Sequence, residues 1–284
     1  MPMRRRVPTW MGLFPLLLPC SLSAQWEAVN DHYGGPGTGL NVTRYNVLDQ
    51  DDGMFGPLRN LVTGEALPVT LTISSSGLFG TDPFGAAPAE GTPLFAAFEG
   101  WVDWDGNQLR NVAIGTGGNV TYTLSGLDPA KPYVLQGGAV RGYPNGINWW
   151  SLFSLTGAES FTAVHAGGLT AQDVPGDIAD NEVAINTGRN HLPDQGHMFE
   201  WRDVMPGDDG TVQIVSIKYA GAVPGGTSGG VAPRGLAPTA LKIVEAVPTP
   251  PSIFKQPESV VAEAGGRGTC PFQLCVPRGC LPSQ

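Results

Sequence analysis

Apolar and polar residues alternate along Val69-Thr70-Leu71-Thr72-Ile73-Ser74, which puts Val69, Leu71 and Ile73 on one face of an extended chain and three hydroxyls on the other. Val120-Thr121-Tyr122-Thr123-Leu124 repeats the pattern and closes into Ser125-Gly126. A period of two predicts half-buried strands, and further strands are expected over 133–140, 149–155, 212–219 and 241–244. Between them lie clusters rich in Gly, Pro, Asn and Asp, such as Gly34-Gly35-Pro36-Gly37 and the stretch 224–230, which read as turns. A short helix is expected at Ser160 to His165 or at Asp180 to Ile185. Strands separated by turn clusters, with no sustained helical period, predict an all-β antiparallel β-sandwich of jelly-roll or galactose-binding-like type.

Composition supports that pattern. The chain has 40 Gly and 26 Pro in 284 residues and only 14% charged residues, which disfavours long helices because Gly and Pro are the poorest helix formers. Its 41% hydrophobic content is enough to build a core. A net charge of −9 repels phosphate backbones and anionic lipid, so nucleic acid and membrane surfaces are not expected partners.

Domain organisation follows from the ends of the chain. Arg4-Arg5-Arg6, the apolar run Met11 to Leu18 and the small-residue segment Leu22-Ser23-Ala24 have the order of a secretory signal peptide over residues 1–24, with cleavage after Ala24. The expected location is therefore secreted or extracellular, with no membrane insertion once the leader is removed. Residues 25–246 form the expected sandwich module, which carries no cysteine. A proline-dense linker opens near Val247-Pro248-Thr249-Pro250-Pro251. Over 247–266 it passes into a segment resembling the first strand of a bacterial immunoglobulin-like domain, which residues 267–284 are too few to complete. Cys270, Cys275 and Cys280 mark that last stretch as an unstructured or out-of-frame tail.

Candidate chemistry centres on Phe98-Glu99-Gly100-Trp101-Val102-Asp103-Trp104-Asp105-Gly106-Asn107. Read as a strand, it places Phe98, Val102 and Trp104 on one face and Glu99, Trp101, Asp103 and Asp105 on the other. An aromatic ring between carboxylates stacks on the C–H face of a sugar while the carboxylates accept its hydroxyl hydrogens; the plainer alternative is that Trp101 covers a loop. Asp103, Asp105 and Asn107 have the alternate spacing of oxygen ligands in a calcium loop but lack the remaining ligands, and Asp49, Asp51 and Asp52 read as a solvated turn. Arg141, Tyr143 and Trp149 are further ligand-binding candidates, since only one of Trp149 and Trp150 can face the core of a strand.

For an enzyme, His32, His165, His191 and His197 with Asp31, Asp194, Glu200 and Asp203 are the available acids and bases. No HExxH spacing links them, and the loop 191–197 reads as solvated. Gly226-Thr227-Ser228-Gly229-Gly230 matches G-x-S-x-G without the strand before and helix after that a nucleophile elbow needs.

Leu124-Ser125-Gly126-Leu127-Asp128-Pro129-Ala130-Lys131-Pro132-Tyr133-Val134-Leu135 resembles the strand, turn and Tyr-bearing strand of fibronectin- and galactose-binding-like modules. With 30–37, 149–160 and 184–188, the stretch 25–244 resembles a β-sandwich module of large secreted bacterial surface proteins. That resemblance implies an extracellular, multidomain setting and assigns no activity to any residue. The expected function is a secreted, non-catalytic binding or adhesion module for a glycan or surface polymer, centred on Trp101. The alternatives are a polysaccharide hydrolase and a purely structural spacer.

Overall fold

A computed structural model describes residues 25–32, 37–44, 53–76, 79–82, 85–104, 111–115, 117–142, 148–223, 234–246, 275–276 and 279–280. The expected leader 1–24, the acidic turn 49–52, the loop 226–230, the segment 247–266 and most of the tail lie outside the described residues. In that tail, Cys275–Val276 and Gly279–Cys280 pair as a minimal antiparallel ladder.

The module is an all-β sandwich. Numbered in chain order, the first six-stranded sheet runs β10 (Ala158–Ala163), β12 (Phe199–Pro206), β8 (Tyr133–Gly138), β15 (Ala240–Glu245), β1 (Glu27–Asp31) and β2 (Thr43–Arg44). The second runs β11 (Glu182–Asn186), β9 (Trp150–Thr156), β13 (Val212–Lys218), β7 (Asn119–Ser125), β4 (Ala66–Ser76) and β3 (Gly53–Arg59). A three-stranded sheet of β14 (Gly235–Leu236), β6 (Asn111–Ile114) and β5 (Phe79–Asp82) completes the module. All pairs within the two large sheets are antiparallel except β1–β2.

Alternation explains the core. Val69, Leu71 and Ile73 of β4 and Val120, Tyr122 and Leu124 of β7 point inward, as their period of two predicts, and meet Tyr133, Leu135, Phe199, Trp201, Leu241 and Ile243 of the facing sheet. The inner face stays in phase along β12 because the ladder slips by one residue between Trp201 and Val204, where Asp203 takes a φ of 50°. Without that bulge Val204 would turn outward, since one residue reverses the face.

The outer faces are covered too. Helix α1 (Pro93–Phe98) and the turn after it lay Leu94, Phe98, Val102 and Trp104 on the first sheet beside Val29, Val140 and Met198. On the second sheet, Val174, Ile178 and Tyr219 pack over Trp150 and Leu152. Trp149 enters the inter-sheet core while Trp150 faces this outer cluster, as adjacent strand residues must.

Two expectations are corrected here. Ser160–His165 and Asp180–Ile185 are not helical: β10 and β11 occupy them. β11 is a short apolar run buried on both faces, Val183-Ala184-Ile185, and β10 is a mostly exposed edge strand in which Phe161 is half-buried, so neither shows the clean period of two that marks β4 and β7. The helix forms instead at Pro93, where proline's fixed φ suits the first helical turn and its missing N–H goes unneeded. The Gly-Leu-Asp-Pro segment forms a turn between β7 and β8. Gly126 adopts a φ of 83°, and the Tyr133 hydroxyl accepts the Asp128 N–H at 2.9 Å.

Candidate functional site

Over its described part, 98–104, the strand expected at 98–107 does not form, because Phe98 ends helix α1 and the chain then turns through Glu99 and Gly100. Phe98, Val102 and Trp104 still share an apolar environment, but a helical turn and not a pleat brings them together. Their grouping was legible and its cause was misread.

The consequences for the carboxylates are large. Asp103 is buried, and its Oδ2 accepts the Gly37 N–H at 3.0 Å. Its own N–H donates to Asp31 Oδ2 at 2.9 Å, which also accepts the Thr38 hydroxyl at 2.6 Å. Asp103 therefore anchors the loop 37–39 instead of flanking an open ring. Trp101 is half-buried against the helix cluster, and its carbonyl accepts the Gly39 N–H at 3.0 Å. A Cβ on Gly39 would come within 3.0 Å of the Trp101 ring, so glycine is what lets this loop lie on the indole. Glu99 is exposed; Asp105 and Asn107 lie outside the described residues. Among the described residues no group of three or more His, Cys, Asp and Glu side chains is placed to hold a metal ion.

Arg141 and Trp149 do come together. The guanidinium carbon stands 4.2 Å from the centroid of the Trp149 ring, and that of Arg234 stands 5.9 Å from it. Both members of the first pair are buried, Arg141 to 5% and Trp149 to 6% exposure, so the stack is interior packing in place of the expected ligand groove. Tyr143 lies outside the described residues.

The histidines disperse. His32 is fully buried against Tyr122. The Asn190 carboxamide closes the loop 190–197 on itself, taking the His197 N–H at 2.7 Å and donating to the His197 carbonyl at 2.9 Å. Glu200 is buried and paired with Arg202. His165 Nδ1 accepts the Glu200 N–H at 3.0 Å, so the neutral ring carries its proton on Nε2. Burial lowers the pKa of His165 to about 4, against a smaller opposing pull from the Glu200 carboxylate. It also packs edge-on against Trp201, with ring centres 5.2 Å apart.

The structure adds a site that the sequence did not single out. A cleft of about 440 Å³ opens at the rim of the sandwich between β10 and the segment leading into β11, the edge strands of the two large sheets. Phe161 and His165 line one wall, and Thr170, Gln172, Asp180 and Glu182 line the other. The segment is held by its own side chains: Asp173 Oδ2 accepts both the N–H and the hydroxyl of Thr170 at 2.9 Å. Glu182 accepts the Ser154 hydroxyl at 2.7 Å and the Ala179 N–H at 2.9 Å. Gln172 and Asp180 project into solvent at the mouth. The legible signal was Phe161 in an otherwise polar edge strand; the facing residues converge only through the cross-over between sheets.

No family model, curated protein or solved structure matches this chain.

Proposed function

We propose that this chain is an exported, non-catalytic binding module that holds a polyhydroxylated ligand, a glycan or related surface polymer, in the rim cleft. The observation that carries the reading is the composition of that cleft: one aromatic ring, an exposed carboxamide and an exposed carboxylate around about 440 Å³ of open space. A ring offers a face to sugar C–H groups while amides and carboxylates exchange hydrogen bonds with hydroxyls. The volume falls within the range of small-ligand sites.

Binding is favoured over hydrolysis by what the acids and imidazoles already do. Asp103 holds the Gly37 amide, Glu182 holds Ser154 and Ala179, Glu200 pairs with Arg202, and His165 Nδ1 takes an amide N–H. The three carboxylates are committed to the fold, and the carboxylate left exposed in the cleft, Asp180, is read as a hydrogen-bond acceptor for ligand hydroxyls.

The test is a glycan array followed by affinity electrophoresis in soluble polysaccharides, with Gln172→Ala, Asp180→Asn and Trp101→Ala compared with the parent chain. Binding weakened by the first two variants and kept by the third supports the cleft. Binding lost only in Trp101→Ala moves the site to the helix turn, and retention by no polymer removes the reading.

A further inference from the structure

We propose that Gln25 is a modification site: once the leader is cut after Ala24, the α-amine of Gln25 closes on its own side-chain carboxamide to form pyroglutamate. The inference rests on the export reading above. It joins a sequence feature, a glutamine directly after Leu22-Ser23-Ala24, to the way the structure holds the start of the module.

Gln25 is exposed, whereas Trp26 is buried with its ring 5.9 Å from that of Tyr133. The Trp26 carbonyl accepts the Glu245 N–H at 2.9 Å, and the β1–β15 ladder takes over from Glu27 opposite Val244. The chain is thus clamped from Trp26 onward. Gln25 projects past the last rung, outside the ladder and on the solvent side of its tryptophan anchor.

The chemistry needs nothing beyond the residue itself. The neutral amine attacks Cδ, the N–Cδ bond forms, the Cδ–Nε2 bond breaks, and one amine proton leaves with Nε2 as ammonia. No oxidation state changes. An α-amine has a pKa of about 7.7–8.0, so an appreciable fraction is already nucleophilic at neutral pH. Both reacting groups sit on one residue, which replaces a bimolecular encounter by ring closure. The product is a lactam without a terminal charge, which removes a cation from an already acidic chain and denies aminopeptidases their amine.

The full chain, leader included, is expressed in a secreting bacterial host, and the exported protein is analysed by intact mass and N-terminal peptide mapping before and after ageing at neutral pH. The expected product begins at residue 25, is lighter by one ammonia than a chain starting with free glutamine, and resists stepwise N-terminal degradation. Pyroglutamyl aminopeptidase then exposes Trp26 as the first residue, and Gln25→Ala gives the same cleavage with a free amine. A product that begins with Gln25 and keeps its free amine through ageing overturns the cyclisation alone. A product beginning elsewhere, or retaining the leader, overturns the assigned cleavage and the cyclisation together.

Discussion

The Tyr122 hydroxyl lies 2.7 Å from Nδ1 of His32 in the interior of the module, and donates its own proton to the Pro238 carbonyl at 2.8 Å. With that proton spent, the imidazole donates from Nδ1 to the tyrosine oxygen, and the neutral ring that burial favours carries its proton there. Three remote segments meet at this point: the end of β1, the middle of β7 and the turn into β15.

That geometry makes stability depend on pH. Burial lowers the pKa of His32 from 6.5 to about 4, and burial does the same to His165, against the opposing Glu200 charge. Between these values the unfolded chain binds more protons than the folded one, so stability falls as pH drops through 6.5 and levels off below about 4. At pH 5 the contribution of His32 alone is about 2 kcal/mol, with a smaller one from the more exposed His165. Urea midpoints at pH 7.5 and pH 5 measure it; equal midpoints would show that neither ring is held neutral.

The Tyr133 hydroxyl closes the Gly-Leu-Asp-Pro turn by accepting the Asp128 N–H. Chiefly through burial, its pKa is raised to about 12. Tyr133→Phe leaves that amide without its acceptor, and the expected loss is about 1–2 kcal/mol. Equilibrium urea unfolding reads it, and a loss below about 0.3 kcal/mol would mean that the turn holds without the bond.

The fold was legible where a single strand sets its own phase. Val69, Leu71, Ile73, Val120, Tyr122 and Leu124 all point inward as their alternation requires. The segment 98–107 misled for a specific reason: Phe98, Val102 and Trp104 fit spacings of four and two, and only Pro93 at the helix start separates a turn from a pleat. Arg141 and Trp149 were singled out together and do touch, yet burial, which depends on the whole fold, turns the pair from a groove into packing. The cleft was the least legible feature. Phe161 and Asp180 stand on segments joined to different sheets, and no local pattern encodes the distance between sheet edges.

Two glycines separate backbone strain from crowding. Gly126 and Gly176 both adopt positive φ, 83° and 89°, so alanine is strained at either. A Cβ on Gly126 would also meet the Pro68 carbonyl oxygen at 2.4 Å, whereas a Cβ on Gly176 meets nothing within 4 Å. Gly176→Ala is expected to cost about 1 kcal/mol, the strain alone. Gly126→Ala is expected to cost about 3 kcal/mol or more, because β4 must shift away from the turn. Thermal and urea unfolding of the two variants side by side checks this, and equal losses would contradict the close approach.

Asp31 accepts the Thr38 hydroxyl and the Asp103 N–H while fully buried. Asp31→Ala strands both donors, and the expected destabilisation is about 2–4 kcal/mol. The loop 37–39, which lies on Trp101, should loosen with it. Hydrogen exchange at the amides of Gly37 and Gly39 reports that loosening, and unchanged protection there would remove Asp31 from its anchoring role.

Binding in the rim cleft makes the sharpest separation between fold and function. Gln172 and Asp180 are exposed at the mouth, so Gln172→Ala and Asp180→Asn should leave stability within about 0.5 kcal/mol of the parent chain. Each removes hydrogen bonding to a ligand hydroxyl, worth about 1 kcal/mol, or roughly a fivefold weaker dissociation constant. Phe161→Ala should weaken binding further and also cost stability, because that ring packs against the inter-sheet core as well as lining the cleft. Isothermal titration with the polymer identified on the array distinguishes these effects. If all three variants bind as the parent does while Trp101→Ala does not, the ligand rests on the turn after α1 and the cleft is only a gap between sheet edges.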